Sequence, residues 1–154
     1  MSFTKVKDIY DYSLISIFDP AIDKSGSDMD AYENEYSYDQ TKLVFYSDQK
    51  PTRFYCKPLS NKIMVGLFDR MMKGRKGGEV EVSIHEAALL AFRHGVFDME
   101  NMPGFDASLH IQKGNPPLIK EKWLENSCLP IDVIVEIGSV ILAKSRLSET
   151  ERKN

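Results

Sequence analysis

Three histidines, two cysteines and an acid-rich stretch are the groups in this 154-residue chain whose types could do chemistry. His85 and His94 are nine residues apart on one expected helix. At about 100° per residue that spacing puts them on opposite faces, so they form no local metal or catalytic pair. His85-Glu86 opens like the helix of a zinc protease, but Leu89 stands where the second histidine belongs. His110 falls in an irregular stretch. The glycines and bases of 74–78 are not followed by a Ser/Thr helix start at phosphate-loop spacing, and no G-x-S-x-G nucleophile elbow occurs. The acidic segment 19–39 lacks the glycine a calcium loop needs at the sixth position from Asp23 or Asp28. The expectation is a protein that is not an enzyme and has no cofactor and no metal.

Lys73, Arg75 and Lys76 beside two glycines have the composition of a phosphate cradle. Cations at a helix C-terminus complement its dipole whatever the function, and that reading is preferred here. Cys56 and Cys128 lie far apart in apolar surroundings and read as two small buried thiols, with no disulfide implied.

Net charge is −3, unevenly spread. Residues 1–50 carry 5 basic and 10 acidic side chains, 51–97 carry 8 and 4, and 98–154 carry 7 and 9. A nucleic-acid binder usually shows a stronger basic excess. No apolar run approaches the roughly 20 residues of a membrane helix. The polar, lysine-bearing start does not read as a signal peptide. These features lead to an expectation of the reducing cytoplasm, where disulfides are rare.

The elements that must position these groups follow from periodicity and punctuation. The length suits one domain over 1–154, burying roughly two-thirds of its unfolded surface. Residues 13–18 form a β-prone run closed by Asp19-Pro20. Residues 19–41 read as a long acidic, mobile loop. Residues 42–46 and 53–57 read as a hairpin around 47–51, ended by Pro58. Ser60 then caps a helix over 61–73, whose apolar side chains from Ile63 to Met72 make one stripe and which Gly74 stops.

Residues 79–82 read as a short strand. Ser83 and Glu86 form a capping box for a helix over 84–94, closed by Gly95. Residues 97–117 read as an irregular connection, and 118–126 as a short amphipathic helix bearing the lone Trp123. The class expected is α+β, a small antiparallel sheet packed on three to four helices.

Pro130 opens the strongest helix, 131–147, followed by a polar tail from Ser148. Its apolar side chains span roughly 220° of the helix, wider than a surface helix usually shows. Such a helix is either central in the core or covered by a second chain. Under the second reading the partner-binding residues are Ile134, Ile137 and Ile141, with Trp123 and the basic Arg75 and Lys76 elsewhere. A homo-oligomer is one form that covering would take.

Two stretches resemble a known group. Gln49-Lys50-Pro51-Thr52-Arg53-Phe54-Tyr55-Cys56-Lys57-Pro58-Leu59-Ser60 is similar to the Pro-Thr-x-Phe…Pro-Leu-Ser segment of small proteins from tailed-phage structural clusters. The last 26 residues, LPIDVIVEIGSVILAKSRLSETERKN, resemble their C-terminal region. The match in kind is the tail assembly chaperone group. The resemblance implies a non-enzymatic protein of the host cytoplasm that binds the tape measure protein and helps recruit tail tube subunits during virion assembly. It also implies a longer form made by frameshifting near Lys153. The acidic insert at 19–41 departs from the pattern. It leaves room for a permanent virion component such as a head–tail connector, or for an acidic inhibitor that mimics nucleic acid.

Overall fold

The computed structural model describes residues 11–34, 37–73, 80–114 and 117–153. The chain has an α+β fold. A three-stranded antiparallel sheet has the order β1 (Tyr12–Ile15), β2 (Arg53–Cys56), β3 (Val96–Glu100). Leu14 pairs with Phe54 and Phe54 with Met99. These three side chains share one face of the sheet, because pleating alternates faces with period two. That face is buried against α3 (Val80–Gly95) and α6 (Ile131–Lys153). Phe54 meets Phe92 of α3 edge-on, at 5.7 Å between ring centres.

Before β2 come α1 (Met29–Glu33) and a 3₁₀ turn at Gln40–Lys42; after it comes α2 (Asn61–Lys73). Beyond β3 a small annexe holds α4 (Ala107–His110), the two-residue pair β4 (Ile111–Gln112) and β5 (Leu118–Ile119), and α5 (Glu121–Asn126). The Ser60 hydroxyl accepts from the Ile63 N–H at 3.4 Å, as its capping position requires. Pro130 precedes α6, and its carbonyl accepts from the Val133 and Ile134 amides.

The α3–α6 seam sets the fold. Ala87, Ala88 and Ala91 are fully buried, and Gly138 faces them. A Cβ at Gly138 would lie 1.9 Å from the Ala88 carbonyl oxygen. Only glycine permits so close a backbone approach. At the far end of α6, Ser145 donates to the Ile141 carbonyl at 2.6 Å and accepts from the Leu59 amide at 3.0 Å. That contact ties the Pro58-Leu59-Ser60 turn to α6. Lys144 lies over the Tyr12 ring and Arg146 over the Phe68 ring, each at 5.2 Å.

Several expected elements differ. Residues 42–46 form no strand with β2. They lie along 21–23 through an Ile22–Phe45 bridge, with Asp23 N–H donating to Val44 and Tyr46 N–H to Ala21. Leu43 is thereby buried while Val44 and Tyr46 stay exposed. The real partners of β2 are distant in sequence.

Val80–Val82 belong to α3, not to a strand. Residues 97–117 are not one irregular connection, because they contain most of β3, all of α4 and all of β4. A register shift at Tyr55/Cys56 breaks the alternation by which β3 would be read. Residues 118–119 form β5, so the helix there starts only at Glu121. The expected polar tail continues α6 to Lys153.

The segment 19–41 is not a bare loop. It carries α1 and the start of the 3₁₀ turn, and its Ile22 and Tyr32 form a small buried cluster with Ile15 of β1 and with Leu43. Its acidity is largely structural. Asp28 accepts from Ala31 N–H, Asp39 from Thr41, and Asp23 from Ser25 and Gly26. Short carboxylates of this kind cap helices and turns.

Candidate functional site

A cleft of about 270 Å³ opens where four stretches of chain meet. One wall is the segment leaving β1, with Ser16, Phe18, Asp19 and Pro20. The floor is Thr52 and Phe54 at the start of β2. The opposite wall is the entry to α6, with Leu129, Pro130 and Val133, and Met102, Pro103 and Cys128 complete the rim. The lining is mainly apolar, as in most ligand-accepting clefts, though the volume falls just below their roughly 300–1,000 Å³ range.

Its one carboxylate is committed to structure. Asp19 accepts from the Ala21 amide at 2.9 Å and the Thr52 amide at 2.8 Å. Phe18 at the mouth is 50% exposed, and Ile131 at the start of α6 is 61% exposed. Such a cleft can hold an apolar group. The residues lining it include no base beside a nucleophile.

Cys128 was expected to be buried and is exposed on the rim, because it sits in the turn between α5 and α6. Cys56 is buried as expected, and burial pushes its thiol well above the ordinary range, so it is inert. Among the described residues no group of His, Cys, Asp and Glu is placed to hold a metal ion. Among them, too, no helix is long and apolar enough to cross a membrane.

Behind the Ser16 wall lies a half-buried carboxyl. Glu136, one turn beyond Val133, accepts from the Ser16 hydroxyl at 2.5 Å, the Ile17 amide at 2.9 Å and the Tyr38 hydroxyl at 3.2 Å. Burial raises its pKa; the three hydrogen bonds oppose that shift, and Glu33 adds repulsion. Burial also raises the Tyr32 and Tyr38 phenols.

The raised carboxyl has a pH consequence. The folded state binds the proton more readily than the unfolded chain, so Glu136's contribution to stability is fully present below about pH 4.5 and is lost as pH rises through the folded-state pKa. Glu136→Gln keeps one acceptor and abolishes the titration. The expected result is a melting-temperature difference, variant minus wild type, that grows more favourable to Glu136→Gln as pH rises from about 4.5 to 7. Parallel melting curves across that range would show that Glu136 titrates normally.

The sequence-expected site residues do not converge. Ile134, Ile137 and Ile141 are buried in the chain's own core, unavailable to a partner while the fold is closed. Trp123 is half-buried in the annexe, edge-on to Phe105 at 4.9 Å and tilted against His110 at 5.9 Å, and donates to the Gly104 carbonyl. Arg75 and Lys76 lie outside the described residues. His85 is exposed, whereas His94 is half-buried with Nδ1 unpartnered and its pKa lowered by burial.

Sequence reasoning missed the cleft and Glu136. Glu136 lies on the narrow polar side of α6 with Asp132 and Ser139, so nothing local marked it out. Compared with known proteins, the chain matches no family model, no curated protein and no solved structure.

Proposed function

We propose that this chain is a non-catalytic protein-binding factor of the tail assembly chaperone kind, which receives an apolar segment of another tail protein during virion assembly. The observation that carries the reading is the apolar cleft, walled by Phe18, Pro20, Leu129 and Pro130, with the exposed Ile131 just beyond it. Proline walls cost little entropy to present, and an aromatic edge offers a large contact area. The resemblance of 49–60 and 129–154 to tailed-phage proteins supplies the class of partner: the tape measure or tail tube protein. Both stretches contribute cleft residues, Thr52 and Phe54 from the first, and Leu129, Pro130 and Val133 from the second.

The test is co-purification with the tape measure and tail tube proteins of the same genome. Cys128→Trp fills the cleft from an exposed rim position and leaves the core untouched. It is expected to weaken capture at least about tenfold, about 1.4 kcal/mol of binding. Its melting temperature should stay close to wild type, as for other exposed substitutions. Undiminished capture by Cys128→Trp would remove the cleft from the binding reaction.

A further inference from the structure

The geometry points to a latched strap: the segment between β1 and β2 opens as a unit, Glu136 is its latch, and the cleft exists only while the strap is closed. The inference concerns regulation of the cleft assigned above and rests on that reading only for its biological use.

Three independent features carry it. Three buried side chains of the strap, Ile22, Tyr32 and Leu43, cluster on Ile15 at the end of β1, and Tyr38 joins this cluster to the main core under the sheet. Contiguous units with few ties to the main core are those that open below the global unfolding free energy.

Its ties to the body are side-chain hydrogen bonds where a further strand would otherwise run. β1 is an edge strand, and its outward backbone groups need cover. The Tyr32 hydroxyl both accepts from the Ile15 amide and donates to the Ile15 carbonyl. The Gln40 amide donates to the Ser13 carbonyl at 2.8 Å. Two side chains thus stand in for a neighbouring strand. Glu136 then joins the start of the strap, Ser16–Ile17, and its middle, Tyr38, to α6.

The closed strap is also strained. Tyr38 has φ +43°, a region bulky side chains rarely adopt. It is held there by the Glu136 bond and by its ring, packed on Tyr32 at 4.8 Å. Strain of this kind persists only where surrounding contacts enforce it, so release of the latch lets Tyr38 relax and favours opening. Opening withdraws Ser16, Phe18, Asp19 and Pro20, one whole wall of the cleft.

The experiment is hydrogen–deuterium exchange on the full chain, wild type against Glu136→Ala. Amides in 15–34 and 43–46 are expected to exchange at least about tenfold faster in the variant, with α3 and the buried length of α6 at wild-type rates. Tyr38→Phe, which removes one latch bond and keeps the carboxyl, should give a smaller acceleration in the same segment. It stands as the test if Glu136→Ala fails to fold. Unchanged strap exchange in both variants, or acceleration spread evenly over every element, overturns the proposal. No partner enters the measurement, so failure of tail-protein capture beside a selectively opened strap would count against the chaperone reading alone.

Discussion

Gly138→Ala is expected to destabilise the fold by about 3 kcal/mol or more, a large share of the 5–15 kcal/mol typical of a domain. The added methyl would sit 1.9 Å from the Ala88 carbonyl oxygen and 2.7 Å from its carbon. Both atoms are backbone of α3, so no side-chain rotation relieves the clash and the helices must part. Two effects compete. Alanine favours a helix over glycine by about 1 kcal/mol. Prising apart a packed seam costs more than that, because the whole row of small side chains on α3 loses contact.

Gly66 provides the control. It lies in α2, where an added Cβ meets nothing within 4 Å, so only propensity acts. Gly66→Ala should stabilise by up to about 1 kcal/mol. Urea unfolding of both variants measures the contrast. Equal gains would mean that α3 and α6 do not touch at Gly138.

Ile137→Asp is expected to cost more than about 4 kcal/mol, enough to unfold much of the population. Ile137 is 0% exposed, packed within the main core cluster. A carboxylate there has no water, and protonating it still leaves a polar group among aliphatic side chains. Ile131→Asp on the same helix is the comparison. Ile131 is 61% exposed in the first turn, where an acid meets the positive end of the helix dipole. Its stability change should stay within about 0.5 kcal/mol. Circular dichroism with size-exclusion chromatography separates the two explanations for the broad apolar helix. A core residue unfolds the chain when charged. A residue covered by a second chain would leave a folded protein of altered oligomeric state.

The binding expectation is shaped by the same burial. Ile134, Ile137 and Ile141 made α6 look adhesive, and the chain consumes that face itself. What remains exposed near α6 is its first turn, beside the cleft. Residues 49–60 and 129–154 both reach that cleft, and the two stretches also meet at Leu59 and Ser145. Their proximity gives those stretches a structural use apart from any partner.

The sequence by itself determined what is local. The stripe from Ile63 to Met72 and the Ser60 cap placed α2, the spacing of aliphatic residues after Pro130 placed α6, and Arg53–Cys56 was legible as a strand. The α+β class followed from those elements. Periodicity and capping involve residues within a turn or two, so their physics is complete in a short window.

Tertiary structure decided the rest. Residues 42–46 had strand composition and adjacency to β2, but strand composition does not name a partner. β2 pairs with β1 and β3 because those strands bring Leu14 and Met99 onto the core face beside Phe54. The run Ala87, Ala88 and Ala91 gave no sign of which glycine it would meet. Glu136 reads on its helix as a polar-face acid beside Asp132, and its partners Ser16 and Ile17 lie 120 and 119 residues away. A contact over that separation is selected only by the packing of everything between, which is why the cleft, its latch and the strained Tyr38 appear only in the folded chain.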